Sequence, residues 1–357
     1  MRLGMFISWL QGGGAERQVA LWGQLCAAKG HDVTVFTLYG GEGDFEMPGV
    51  RVVRLHKARA TDLPRIAWRL RRASQSLDAM VAFEPYPGVC CAAARLKIPW
   101  MLVTGKDPRH WRDASNIPAG IFRTMFRSPT VLVAPSRGMI HCHQEMGLRP
   151  GGPWFCVPNI VDDRAFEAGS TANGSEGREG VLFAGRLIPL KNPLRAVEAA
   201  DAADVPLKLL GRGKLKSAIE SAIAERGRQG SMQLLGYDPE PWTAYAKARV
   251  LVVTSDYESF GNVLVESLAA GTPVVSVDCD FGPREIIAGA DFSRLVEASV
   301  PSIAQALTDV VSRPYTLREW QECRAIAERY RIDAIAPLIE QALEQLIDAR
   351  GNRLRHS

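Results

Sequence analysis

Residues 249–277 restrict the fold of this chain more tightly than any other stretch. ArgValLeuValValThrSer (249–255) is apolar and β-branched along most of its length, as strands buried on both faces of a parallel sheet are. Gly271, Thr272 and Pro273 stop a helix that begins near Gly261, and ValValSerVal (274–277) starts another strand. Strand, loop, helix, strand is the unit of an open parallel α/β sheet. A helix opening near Gly261 directs about four free backbone N–H groups at whatever lies above the strand end, and its dipole favours an anion there. A diphosphate meets that demand. Glu266, one to two turns into the helix, would repel phosphate but accept hydrogen bonds from ribose hydroxyls. Glu258, in the loop, stands closer to a sugar attached beyond the phosphates.

The same alternation runs through the whole chain. Strands are expected at 2–8, 32–38, 51–55, 79–83, 100–103 and 131–134, with a glycine turn at 12–17 leading into a helix that Gly30 ends. A second series follows at 181–184, 207–210, 232–235, 249–254 and 274–277. Between the two, a stretch rich in Gly, Ser, Ala, Asn and Glu has no hydrophobic periodicity and reads as a linker. The expected division is a first domain at 1–165, a linker at 166–180, a second domain at 181–330, and a terminal helix in 331–357 that returns to the first domain. Two domains also suit 357 residues, since one core seldom grows beyond about 250 to 300. The fold class is α/β: two Rossmann-like, doubly wound parallel-sheet domains facing a cleft.

Charge divides unevenly along the chain. Residues 1–160 hold 20 Lys and Arg against 11 Asp and Glu (20 − 11 = +9), whereas residues 161–357 hold 23 against 28 (23 − 28 = −5). Lys57, Arg59, Arg65, Arg69, Arg71 and Arg72 cluster around Trp68, Ile66 and Leu70, and ArgHisTrpArg (109–112) adds to them. Such a face suits an anionic membrane surface or a phosphate-bearing acceptor, and equally a solvated helix; no nucleic-acid partner is expected. No run of about 18 apolar residues occurs, and MRLGMFISW leads into a strand without signal-peptide organisation, so the expected location is cytoplasmic, peripheral on the inner membrane face. Seven scattered cysteines without a CxxC pair argue against a disulfide framework or structural zinc. In HisCysHis (141–143) the two imidazoles do not share a helix face, which speaks against a metal site.

In the second half, glycine-bounded turns follow several expected strands, at GlyArgLeu (185–187), GlyArgGly (211–213) and GlyTyrAsp (236–238). Loops at the carboxyl ends of such strands form the ligand crevice. Arg186 and Lys191 stand in the first of them, placed to neutralise a diphosphate, Arg through a planar fork and Lys as a point charge. Gly185-Arg186-Leu187 with Lys191, the Gly236 turn, Glu258 and Glu266, and AlaGlyThrProValVal (270–275), in this order and spacing, resemble the donor-binding domain of the retaining glycosyltransferases of family 4, which have the GT-B fold. GlyGlyGlyAlaGluArg (12–17) and ProAsnIleValAsp (158–162) extend the resemblance to nearly the whole chain. AspPheGlyProArgGluIle (280–286) resembles a subgroup that extends lipid-linked surface saccharides.

The resemblance implies a metal-independent, retaining transfer of a hexosyl or N-acetylhexosaminyl unit from a nucleoside-diphosphate sugar to a lipid-linked saccharide, with no cofactor. Arg186 and Lys191 would hold the diphosphate, Glu258 the donor sugar, Glu266 the ribose, and Gly261, Asn262 and Val263 the phosphates through backbone groups. Gly236 and Tyr237 would face the base, and Gly13 and Gly14 would let backbone approach donor phosphates or acceptor without a Cβ in the way. Glu16 would lie near the same cleft or serve the helix start. Where relatives carry a histidine after the fifth strand, this chain reads LeuValThrGlyLysAspProArgHisTrp (102–111), leaving Lys106 or His110 as the substitute. Arg284 and Glu285 would shape the pocket or start a helix. Three other readings stay open: a nucleotide-sugar epimerase of the same fold, a transferase with a soluble acceptor, and a scaffold without chemistry. A dinucleotide dehydrogenase fits poorly, because the first glycine turn is GlyGlyGly rather than GxGxxG.

Overall fold

The computed structural model describes residues 1–41, 44–57, 62–109, 119–148, 150–171 and 177–355. The chain divides into two compact units, one of residues 1–160 with 335–357 and one of residues 161–334.

The first unit is built on seven parallel strands: β1 (Arg2–Ile7), β2 (Asp32–Thr37), β3 (Arg51–Arg54), β4 (Ala79–Phe83), β5 (Trp100–Val103), β6 (Val131–Ala134) and β7 (Trp154–Cys156). Their spatial order is β3-β2-β1-β4-β5-β6-β7, so the winding reverses between β1 and β4. The central strands are buried along their whole length, which is why they read as continuous apolar runs rather than alternating ones. Helix Gly14–Ala28 turns Val19, Trp22, Leu25 and Cys26 inward at helical spacing. Strand β7, three half-buried residues at the sheet edge, is too short to show a periodicity and is not expected from the sequence.

The second unit holds β8 (Glu179–Ala184), β9 (Leu207–Leu210), β10 (Met232–Gly236), β11 (Ala248–Val253), β13 (Val274–Val277) and β15 (Arg294–Val296) in the order β10-β9-β8-β11-β13-β15, with a separate pair of β12 (Tyr257–Glu258) and β14 (Asp280–Phe281). The reversal falls between β8 and β11.

The linker expected at 166–180 does not have those bounds. Asp163–Thr171 is a helix and β8 begins at Glu179. The division falls at Ile160/Val161 rather than after 165, and the second unit runs to Ala334 rather than 330. Burial explains the difference: Ala165 and Phe166 are buried, Arg324 and Arg331 lie over the Phe166 ring at 5.1 and 4.8 Å, and Trp320 Nε1 donates to Gly169 O at 3.2 Å. Gly169 packs so closely on Ala270 that a Cβ would fall 2.8 Å from its backbone. Glycine stands at position 169 because helix Asp163–Thr171 approaches the end of helix Asn262–Ala269 closely.

Helix Ile332–Arg355 buries Ile335, Ile339, Ala342, Leu343 and Leu346, and Glu340 pairs with Lys29 at 2.8 Å within the first unit. Residues 335–357 add three basic and three acidic groups, so the first unit keeps its excess of +9. The basic segment forms helix Leu63–Ala73. It corrects the expected interleaved apolar set, since Ile66 and Leu70 are core residues at 1% and 0% exposure and only Trp68 faces out, at 60%. Arg59 and Arg112 lie outside the described residues. No described helix is long and apolar enough to cross a membrane. All seven cysteines are free. His141 is exposed and pairs with Glu145, while buried His143 hydrogen-bonds Met139 O at 2.7 Å, so the two rings serve separate contacts.

Candidate active site

Loops leaving β8 and β11 flank the winding reversal at the carboxyl edge of the second sheet, the place where open α/β sheets take their ligands. Lys191 comes from the first loop and Glu258 from the second. Lys191 Nζ lies 2.5 Å from Glu258 Oε1, and Ser255 Oγ donates to the same oxygen at 2.7 Å. Both partners are largely withdrawn from water, with side chains 19% and 8% exposed. A charge in such a place is tolerated only when paired and hydrogen-bonded.

The two loops are tied to each other. Residues Pro189–Lys191 form a 3-10 turn that ends on Asn192 at φ 47°, a left-handed conformation that asparagine tolerates. Thr254 Oγ1 sits 3.0 Å from Lys191 O and 2.8 Å from Asn192 O, Asn192 Nδ2 donates to Asp256 Oδ1, and Asp256 N donates to Leu190 O at 2.9 Å. These contacts fix the stem of Lys191 before any ligand arrives.

Gly261 caps helix Asn262–Ala269 at φ 94° and ψ 64°. A Cβ built on Gly261 would lie 3.8 Å from Glu258 Cβ, which places the carboxylate residue beside the helix N-terminus. Asn262 and Val263 form the half-buried first turn. Glu258 pairs with Phe281 in the short β12–β14 ladder, and Gly282 follows so close to Phe260 that a Cβ there would sit 1.8 Å from its carbonyl oxygen. Cys279 is nearby, and burial, with the charge of Glu258 adding and Lys191 opposing, pushes its thiol up to about 12. It is no nucleophile at neutral pH.

Glu266 is 8% exposed, and the Tyr245 hydroxyl donates to its Oε2 at 2.9 Å. Arg186, just past β8, is exposed and makes no ion pair among the described residues. The Gly236 turn has φ 79°; Tyr237 is 41% exposed, with the Arg212 guanidinium 4.4 Å from its ring centroid. Arg284 and Glu285 are exposed on helix Gly282–Ile287, Arg284 pairing with Asp278.

The remaining candidates belong to the first unit. Gly13 caps helix Gly14–Ala28, and Glu16 folds back so far that a Cβ on Gly13 would meet its Oε2 at 2.0 Å. Lys106 pairs with Glu84 at 3.3 Å, and Glu84 has the left-handed φ of 75°. His110 lies outside the described residues. No group of three His, Cys, Asp or Glu side chains able to hold a metal occurs among the described residues. Ser255, Thr254 and Tyr245 carry no signal in the sequence: hydroxyl residues at strand ends are ordinary, and Tyr245 reads as core.

Comparison with known proteins identifies the family. Residues 13–159 match the family model for the glycosyl transferase 4-like domain, and residues 170–329 the model for glycosyl transferases group 1. The chain is similar to the exopolysaccharide phosphotransferase SCO2592 of Streptomyces coelicolor, 25% identical over 80% of the chain, of which it spans only 31%. A Campylobacter jejuni α-1,4-N-acetyl-D-galactosaminyltransferase, named for a GalNAc-containing PP-undecaprenol saccharide, is 25% identical over 80% of this chain and 82% of that one. Among solved structures, Anabaena Alr3699/HepE in complex with UDP-glucose superposes with a TM-score of 0.79 at 17% identity, covering 97% of this chain and 99% of that one.

Proposed function

Since the chain belongs to the group 1 glycosyltransferases with a family 4-like N-terminal half and the GT-B fold, we propose that it moves a hexosyl or N-acetylhexosaminyl unit from a nucleoside-diphosphate sugar to a lipid-linked saccharide, with retention and without a metal. The observation that carries this reading is the Lys191–Glu258 pair beside the Gly261-capped helix. As the glycosidic bond breaks, the diphosphate gains negative charge and the sugar gains positive character. An ammonium with three donors can share itself between Glu258 and the leaving phosphate, and the helix N-terminus adds its dipole. Both contacts strengthen as the bond breaks, which is what lowers a barrier. Arg186, exposed and without an ion pair among the described residues, is the second cation for the diphosphate.

Glu258 then meets the donor sugar, Glu266 the ribose in an orientation set by Tyr245, and Tyr237 the base. Glu258, with one oxygen engaged by an ammonium and a hydroxyl, is a poor nucleophile, and the Cys279 thiol stays protonated. The acceptor proton accordingly goes to the departing phosphate. Support for the donor class comes from the UDP-glucose complex of the Anabaena protein, and for the acceptor class from the PP-undecaprenol saccharide in the Campylobacter relative's name. Peripheral membrane attachment through the +9 first unit completes the proposal; Arg65, Trp68, Arg71 and Arg72 face outward on one helix.

The test is a panel of nucleoside-diphosphate sugars incubated with undecaprenyl-diphosphate saccharides, with and without a strong chelator. Product that forms only with acceptor, keeps the donor's anomeric configuration and survives chelation is expected. Conversion of the donor alone would instead identify an epimerase, and loss of product on chelation would remove the metal-independent step.

A further inference from the structure

The first unit has its own winding reversal, between β1 and β4, and the residues that flank it form a second built surface. Trp9 follows β1, Tyr39 follows β2, Lys57 follows β3 and Tyr86 follows β4. Trp9 and Tyr39 stack with ring centroids 4.3 Å apart and planes 20° from parallel, yet Trp9 keeps 46% of its surface exposed. Lys57 is half-buried, and its Nζ lies over the Tyr86 ring, 3.9 Å from the centroid. It has no carboxylate partner among the described residues.

The backbone holds this arrangement in place. Ser8 O accepts from both Leu38 N and Tyr39 N, at 3.2 and 3.1 Å, which locks the Trp9 strand end to the Tyr39 strand end. Lys57 N donates to Leu38 O at 3.1 Å. His56 and Glu84, the residues that aim Lys57 and the Pro85-Tyr86 turn, both have left-handed φ values, 51° and 75°. Non-glycine residues keep such conformations when the surroundings impose them, and they cluster at ligand sites. A half-exposed tryptophan beside a cation with no carboxylate partner among the described residues presents an aromatic face and a positive charge side by side.

We propose that Trp9, Tyr39, Lys57 and Tyr86 form an acceptor subsite for an anionic saccharide, whose ring lies on the Trp9–Tyr39 face and whose acid group meets Lys57. The negative face of an aromatic ring attracts the polarised C–H groups on the flat side of a sugar, which gives the platform its ligand class. The ammonium, held against the Tyr86 ring and without a carboxylate partner among the described residues, is open to a charge-assisted contact, which an anion makes more strongly than a neutral hydroxyl. Carboxylate of an acidic sugar and phosphate on a sugar share that chemistry. The proposal rests on the transferase reading for its use as an acceptor site, though the binding itself does not.

Saturation-transfer NMR separates the cases, using methyl β-glucuronide, glucose 6-phosphate and methyl β-glucoside as probes on the full chain. At least one charged probe should bind about tenfold more tightly than the neutral one, and which of the two does so identifies carboxylate or phosphate as the acid group. Lys57→Gln should bring the charged probes level with the neutral one. Trp9→Ala should abolish binding of all three. Nucleotide-sugar binding and the unfolding temperature are measured on each variant, and Trp9→Phe, which keeps a smaller ring, should weaken binding of all three probes if Trp9→Ala fails to fold. Equal binding of all probes, no binding, or charge preference that survives Lys57→Gln overturns the subsite. If charged saccharide binds while no nucleotide sugar does, the subsite stands and the transferase reading falls.

Discussion

Lys191 Nζ and Glu258 Oε1 meet at 2.5 Å although 67 residues separate them, and they meet at the one place where the second sheet reverses its winding. Strand order alone brings their loops together. The pair is therefore a consequence of topology as much as of local sequence, and its two members should not behave independently.

Lys191→Ala leaves Glu258 with the Ser255 hydroxyl in a site where the residue is 7% exposed. Orphaning a buried carboxylate costs about 1 to 3 kcal/mol or more, so the variant should melt earlier. Turnover should fall about 100-fold if, as proposed, the ammonium's contact with the leaving group strengthens in the transition state. The double variant Lys191→Met with Glu258→Gln should recover the melting temperature and not the turnover. Recovery of both would reduce the lysine to a counter-ion for Glu258.

Tyr245→Phe removes one hydroxyl that donates to Glu266 Oε2 and leaves the buried ring in place. On the proposed reading, a carboxylate released from that contact would meet ribose in several orientations. Donor affinity should drop about 5- to 10-fold by calorimetry, with kcat nearly unchanged, consistent with loss of uniform binding. A variant with wild-type donor affinity and lowered kcat would place Glu266 at the reacting bond instead.

How far these features were legible in the sequence depends on their length. Strands such as 79–83 and 249–254 stood out because a parallel strand buried on both faces is an unbroken apolar run. Lys191 and Glu258 were legible as types at loop positions, but nothing in their spacing shows that they touch, since the contact depends on β8 and β11 being neighbours. Strands β12, β14 and β15 are two or three residues long and leave no pattern to read. Helix Asp163–Thr171 was hidden for a different reason: Gly169 is there to let Ala270 approach, and glycine and serine in the absence of that knowledge signal a loop. Ile66 and Leu70 misled in the opposite direction, because an amphipathic helix that covers its own core has the same composition as one that enters a headgroup layer.

Gly282→Ala should be among the most damaging single-methyl changes in the second unit. The added carbon would sit 1.8 Å from Phe260 O, so the β12–β14 pair that carries Glu258 must separate. A loss on the order of 3 kcal/mol is expected, with donor binding weakened in parallel. Gly230→Ala, with nothing within 4 Å, serves as the control and should stay within about 0.5 kcal/mol. Matched denaturant titrations of the two variants check this.

His143 gives the first unit a pH dependence. Burial lowers its pKa from 6.5 to about 4, against the opposing pull of its hydrogen bond to Met139 O. Between those values the unfolded chain takes up a proton that the folded chain refuses, so stability rises with pH there. Stability from this residue is complete above about 6.5 and falls as pH drops towards 4, by about 3 kcal/mol at most. His143→Gln should flatten that part of the curve of unfolding free energy against pH. An unchanged slope would assign the acid sensitivity to other groups.

The proposed attachment to an anionic surface would rest on helix Leu63–Ala73, and the structure narrows which residues to change. Arg69 Nη1 donates to Leu55 O at 2.8 Å and Ile66 and Leu70 are core, so substituting them would disturb the fold rather than the surface. Arg65, Arg71 and Arg72 are exposed, and Arg72 lies 5.7 Å from the Trp68 ring centroid. Each basic residue near an anionic bilayer contributes about 1 kcal/mol, so Arg65, Arg71 and Arg72 changed together to Gln should lower partitioning onto phosphatidylglycerol vesicles by about two orders of magnitude. Trp68→Ala should weaken binding further without altering its salt dependence, because the indole contributes apolar contact and no charge. Cosedimentation at low and high salt, on phosphatidylglycerol and on phosphatidylcholine, reads both effects. Equal pelleting of wild type and triple variant on the anionic vesicles would show that this helix is a solvated face, and that a soluble acceptor or another surface of the first unit must be sought.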